Sequence, residues 1–182
     1  MCTFLGKTTI KKALSAAAKA AGINLGKDEI LQILGKFLAA GITRVPRKRL
    51  MEFCTTYKGS TGAGFDKNIG QLVKSGHVKT HINDQTVELI KLGIEYINIT
   101  LLTTNKEKHD AIKEFLSRTG KLIFDKLVDR QPHDKLVIAE QIGKDLKKLS
   151  GYEKVLSFMK KMGWLIKYDN GSIKLTNKCF IN

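Results

Sequence analysis

Four of the six residues from position 44 to 49 are basic: Arg44, Arg47, Lys48 and Arg49. Clustered guanidinium and ammonium groups neutralise phosphates, and the planar arginine fork can grip one with two hydrogen bonds. Further along, Lys67, Asn68, Gln71, Lys74 and Ser75 fall at the spacing of one helical face. Asn and Gln can bond an adenine edge through two atoms, and Lys can serve guanine or phosphate. Lys79 and His81 follow closely. The bland alternative stands beside this one, because a solvated surface helix also turns charged and polar residues outward. A second group, Lys147, Lys148, Lys154, Lys160, Lys161, Lys167 and Lys174, brings charge with few base-reading side chains.

The whole chain leans the same way. Its 182 residues carry 32 Lys+Arg against 17 Asp+Glu, a formal net charge of +15. Such an excess raises the local concentration of polyanions, and each phosphate contact releases counterions. The surplus is uneven: 5 basic and 0 acidic residues over 1–27, 10 and 7 over 28–104, 17 and 10 over 105–182. A solubilising surface is the competing explanation of charge alone.

Other chemistry finds little support. Gly6-Lys7-Thr8-Thr9 resembles the end of a phosphate-binding loop, but Cys2 stands where the upstream glycine is required and no strand precedes it. Gly59-Ser60-Thr61-Gly62-Ala63-Gly64 lacks a following Lys-Ser/Thr and suits a loop entering a helix, with backbone N–H groups that can approach a phosphate. His77 and His81 are four apart, yet on a strand they would lie about 13 Å apart, too far for one ion. His109 and His133 lack ligand spacing. No Ser-His-Asp or Cys-His arrangement can be argued, so neither an enzymatic reaction nor a cofactor is expected. Cys2, Cys54 and Cys179 are odd in number and scattered, which argues against a disulfide framework and fits a reducing, intracellular compartment, nucleus or cytoplasm. The basic, acid-free stretch 1–21 reads as a mobile arm or packed helix, with an organelle transit peptide as the alternative. No apolar run approaches the roughly 18–20 residues of a membrane span.

The elements that must position these residues emerge when the chain is compared with itself. Gly64-Phe65-Asp66-Lys67 recurs as Gly151-Tyr152-Glu153-Lys154, 87 positions later. At that offset Ile69 falls on Leu156, Leu72 on Met159, Gly76 on Gly163 and Val78 on Leu165. One residue of slippage then brings Val87 onto Ile173 and Leu89 onto Leu175. Each copy reads as a helix followed by a hairpin. In the first, Phe65, Ile69, Leu72 and Val73 form the inward face, Gly76 closes the helix, and strands over 78–82 and 86–90 flank an Asn83-Asp84 turn. In the second the helix spans 152–162, Gly163 closes it, and strands over 164–168 and 172–176 meet at Asp169-Asn170-Gly171, a strong hairpin signal. Upstream of the first copy lie one helix from Asp28 to Gly41 and another from Pro46 through Cys54. Upstream of the second, Leu122, Ile123, Phe124, Leu127 and Val128 mark one helix, and Val137, Ile138, Ala139 and Ile142 another. A further helix over 106–116 joins the two.

Helix, helix, helix, hairpin, twice over, with "IGQLVKSGHV" repeated as "LSFMKKMGWLI", resembles the winged helix-turn-helix superfamily. The expected class is mainly α with small β-hairpins (α+β), as tandem winged-helix domains joined by a helix. Its parts are a basic arm or helix (1–27), a first domain (28–97), a connecting segment (98–120) and a second domain (121–182). The resemblance implies a third helix in the DNA major groove and a hairpin wing on backbone or minor groove. It also admits a protein-interaction scaffold, since winged helices serve both ends. Duplex DNA is the expected partner and RNA a weaker one, because only 13 residues are Phe, Trp or Tyr and most hold core positions. The copies are not equivalent: where the first has Asn68, Gln71 and Ser75, the second has Val155, Phe158 and Met162. Those apolar side chains are expected to meet the connecting helix, the first domain, or a partner or second copy of the chain.

Overall fold

A computed structural model of the chain describes residues 24–58, 62–98 and 102–181. The lysines of the basic arm up to Lys19, the Gly6-Lys7-Thr8-Thr9 stretch, Cys2 and Gly59-Ser60-Thr61 lie outside them. The protein is α+β, with two small three-stranded antiparallel sheets. It divides into two compact units, the second of which takes the segment Phe37–Ile42 along with the C-terminal half.

Unit 1 holds residues 24–36 and 43–98 of the described chain. It begins with the helix α1 (Leu25–Ala39) as far as Lys36, and there Ile30, Leu31 and Leu34 recur at helical spacing and are buried. Then come β1 (Arg44–Pro46), α2 (Arg47–Phe53), a 3-10 turn (Thr55–Tyr57), α3 (Ala63–Lys74), the hairpin β2 (Val78–His81) and β3 (Thr86–Leu89), and α4 (Lys91–Ile97). The sheet order is β1-β3-β2, with Val45 opposite Val87 and Val78 opposite Leu89. These side chains close over Leu50, Phe65, Ile69 and Leu72, all buried. Gly76 takes φ 72° and ends α3 as expected of a residue without Cβ. Val73, expected inward, is 39% exposed: with Ile69 and Leu72 defining the buried stripe, it falls at the stripe's edge.

Unit 2 holds Phe37–Ile42 and residues 102–181. Its elements are α5 (Asn105–Lys113), α6 (Arg118–Lys126), β4 (His133–Asp134), α7 (Lys135–Gln141), α8 (Ser150–Lys161), β5 (Leu165–Lys167), β6 (Ser172–Leu175) and a closing 3-10 turn (Asn177–Cys179). The helix expected as a connector is α5, started by a Thr104–Glu107 capping box, and it belongs to this unit. The sheet order is β4-β6-β5. Ile123, Phe124, Ile138, Tyr152, Leu156, Met159, Ile173 and Leu175 form the core, with Trp164 fully buried beside them. Phe37 stacks on Phe115 with centroids 4.0 Å apart, and both Phe115 and Phe158 stand 6.1 Å from Trp164. The Trp164 indole N–H donates to the Ala40 carbonyl at 3.1 Å, so burial leaves neither group unpaired.

The two units thus share one element order: α1-β1-α2-α3-β2-β3 in the first and α6-β4-α7-α8-β5-β6 in the second. In each, the short strand before the second helix pairs with the last strand of the hairpin. The match extends to single bonds. Arg47 N–H donates to the Gln85 carbonyl at 2.9 Å, and Lys135 N–H to that of Gly171 at 3.4 Å.

Candidate nucleic-acid interface

In each unit the outward stripe of the third helix is set by what its core face consumes. Burial of Phe65, Ile69 and Leu72 turns Lys67, Gly70, Gln71 and Lys74 to solvent. Burial of Tyr152, Leu156 and Met159 turns out Lys154, Ser157, Lys160 and Lys161. At the 87-residue offset Lys67 matches Lys154 and Lys74 matches Lys161. Seven residues are just under two turns, so each pair shares a face about 10 Å apart along the axis. Lys48, Lys67, Lys74, Lys79, Lys154, Lys160 and Lys161 are exposed and make no ion pair among the described residues. The sequence already offered these lysines and matched Lys67 to Lys154; the same offset, with the core face now fixed, adds the match of Lys74 to Lys161.

The arginines are differently placed. Arg47 pairs with Asp66 at 2.6 Å, Arg49 with Glu52 at 2.6 Å, and Arg44 lies 3.6 Å from Glu88 and 3.8 Å from Asp84. Part of the basic cluster is therefore balanced within the unit, leaving Lys48 as the member without an ion pair among the described residues. The Arg47–Asp66 pair has a counterpart: Glu153 accepts from Lys135 at 3.0 Å and from Lys167 at 2.9 Å. Each pair ties the first residue of the second helix to the start of the third, fixing how these helices meet. Bonding from Lys167 and Lys135 holds the Glu153 carboxyl below its ordinary range. Lys167, expected on nucleic acid, is thereby engaged.

Asn68 is also turned away from its expected role. It is half-buried and donates to the Tyr57 hydroxyl at 2.5 Å, beside Gly26, where a Cβ would collide with that hydroxyl. Of the amides expected on α3, Gln71 alone stays exposed. In unit 2 the apolar trio finds neighbours inside the unit. Val155 packs near Gly120, Phe158 sits edge-on to Trp164, and Met162 is 5% exposed. A partner surface made of these three is corrected accordingly: Val155 meets α6, Phe158 meets Trp164, and Met162 is buried.

The second helices carry a sharper contrast. Buried Leu50 in α2 and Ile138 in α7 fix the register, which sets Lys48 and Arg49 against Leu136 and Val137. Leu136 and Val137 are 44% and 47% exposed. His77 Nδ1 lies 2.8 Å from Ser75 Oγ, while His81 Nε2 lies 2.7 Å from Glu88, so the two imidazoles serve separate partners. Burial lowers the His77 pKa. Among the described residues no group of three or more His, Cys, Asp and Glu is placed to hold a metal ion, and no helix is long and apolar enough to cross a membrane. Comparison with known proteins adds no relative: no family model, no curated protein and no solved structure matches this chain.

Proposed function

We propose that the two units are winged-helix modules that bind nucleic acid in tandem, duplex DNA above all, as a non-enzymatic transcription, replication or chromatin factor. The observation that carries this reading is the repeated lysine stripe on the helix preceding each hairpin, Lys67 and Lys74 in α3 and Lys154 and Lys161 in α8, exposed and without an ion pair among the described residues. Core packing does not require lysine at these four exposed positions, yet both copies have it. Lysines offer point charge to phosphates, and Gln71 adds an amide able to bond a base edge. Two modules on one chain gain from effective concentration when both reach the same duplex.

The test is binding of labelled duplex, single-stranded DNA and RNA across a salt titration, with K48A/K67A/K74A and K154A/K160A/K161A compared with the native chain. A steep decline of log affinity with log salt is expected, and each lost phosphate contact should flatten the duplex slope by about 0.9. Absence of binding at moderate salt, or triple variants with the native slope, would overturn the reading.

A second reading, docking of a protein partner through unit 2, is favoured by one observation: Leu136 and Val137 stand exposed where α2 presents Lys48 and Arg49. On that reading L136S/V137S leaves nucleic-acid affinity intact.

A further inference from the structure

At the 87-residue offset the first residue of α8, Ser150, matches the first residue of α3, Ala63. A methyl group serves the helix start in one unit, so the hydroxyl in the other is not there to make the helix. It caps nothing: the residue before α8 is Leu149, and the helix opens with the Glu153 N–H donating to the Leu149 carbonyl at 2.9 Å. Three other serines have bonded side chains. Ser75 donates to the Leu72 carbonyl, Ser117 accepts from the Gly120 N–H, and Ser172 donates to the Asn170 amide oxygen. Ser157 lies in the middle of α8, from which no extended peptide can be drawn without unwinding the helix. The fold has no use for the exposed hydroxyl of Ser150.

Its surroundings suit the cleft of a modifying enzyme. Lys147 and Lys148 precede it directly before Leu149, where the first unit has Ser60 and Thr61. Both lysines are exposed and enter no ion pair among the described residues. Residues 142–149, between α7 and α8, form neither helix nor strand. A Cβ built on Gly151, the residue after Ser150, meets nothing within 4 Å. Ser150 and Gly151 belong to the first helical turn, whose N–H groups have no acceptor inside the helix, so straightening them loses few bonds. Tyr152 comes next and is buried, its hydroxyl donating to the Lys135 carbonyl at 2.7 Å, so the rest of α8 stays anchored. A segment of this shape, basic on the side before its hydroxyl, complements a kinase cleft lined with carboxylates.

We infer that Ser150 is a phosphorylation site for a serine kinase that selects basic residues before its target, and that the phosphate weakens the hold of unit 2 on nucleic acid. The second part rests on the duplex-binding reading above. In the transfer the Ser150 Oγ bonds the γ-phosphorus of magnesium-bound ATP, the bond to the bridging oxygen breaks, ADP leaves, and the hydroxyl proton passes to the kinase's carboxylate base. The product carries about −1.5 to −2 charges at neutral pH. It stands one helical turn from Lys154 of the stripe and close in sequence to Lys147 and Lys148, so it competes with a nucleic-acid backbone for these ammonium groups. The test incubates the full chain with ATP and the catalytic subunit of a cyclic-AMP-dependent kinase, and maps the product by fragmentation mass spectrometry. Ser150 should be modified ahead of every other serine and threonine, at an initial rate about 10-fold lower in K147A/K148A. S150A should melt with the native chain, as Ala63 at the matched position predicts. The purified phosphorylated chain should show a duplex salt slope flatter by about 0.9 for each phosphate contact given up, while S150A after the same incubation keeps the native slope. A bare Ser150, or equal modification of K147A/K148A, overturns the site and spares the wider reading. A phosphorylated chain with native affinity and slope overturns the effect on binding. Unmodified chain that binds no duplex overturns that effect together with the wider reading.

Discussion

His77 and Trp164 occupy the same place in the two units, one residue past the glycine that closes the third helix, and each is buried. What they recruit differs. His77 stands edge-on to Tyr96 of α4, and α4 comes so close to its carbonyl that Gly93 has no room for a Cβ. Trp164 instead gathers Phe115, Phe158 and the carbonyl of Ala40. One position in a shared plan has thus been elaborated with a polar ring and a following helix in one unit, and with an aromatic stack in the other. The same contrast runs to the surface, where unit 1 spends charge on its second helix and unit 2 spends apolar area. Repetition fixes the frame and the added elements set what each copy exposes.

The contrast breaks most severely at Trp164. W164A should cost about 3–5 kcal/mol, read as a lower melting transition for unit 2 in far-ultraviolet ellipticity. An unchanged melt would mean that the stack is incidental. At the matching spot of unit 1, G93A forces backbone apart and should cost about 2 kcal/mol in a chemical denaturation series. A smaller cost would show that α4 is loosely held. Next in size are the helix-tying ion pairs. E153Q removes a carboxylate with two ammonium partners and should cost about 1 kcal/mol, while D66N, with one partner, should cost about half as much. Glu153 is held below its ordinary range, so its contribution is present above that range and fades as the pH falls through it. The native-minus-E153Q stability difference should therefore shrink in acid, and a constant difference would refute the pairing.

The smallest effect concerns His77. Its folded pKa is lowered, so the unfolded chain binds more protons near and below the ordinary imidazole range, and folding stability falls as pH drops through that window. Replacement by Asn, which keeps a polar group within reach of the Ser75 hydroxyl, should flatten that part of the pH profile. A profile of unchanged steepness would assign the titration to another group; His109 in unit 2, also lowered by burial, is the first to test.

Much of this arrangement was legible in the residues. Apolar spacing gave the helices, Asn170-Gly171 the second hairpin, and the 87-residue offset the shared plan. The strands β1 and β4 were not, because three and two residues are too short for alternation to register and each owes its pairing to a distant strand. The inward turn of Asn68 depends on a hydroxyl eleven residues away, and the balancing of Arg47 on an acid nineteen residues away. Helical spacing records which positions share a face and is silent on which polar groups pair across elements.

The bond from Trp164 to Ala40 spans 124 positions of chain. A core that needs the early segment Phe37–Ile42 cannot be completed until the last elements have been made, a long-range closure of the kind that slows folding. A fragment beginning at residue 102 would have every strand of the second sheet and still lack Phe37 and the acceptor for its buried indole. Added back as a peptide, the stretch ending at Ile42 should bind such a fragment and raise its melting temperature. The second half of this protein is thus unfinished without a piece of the first.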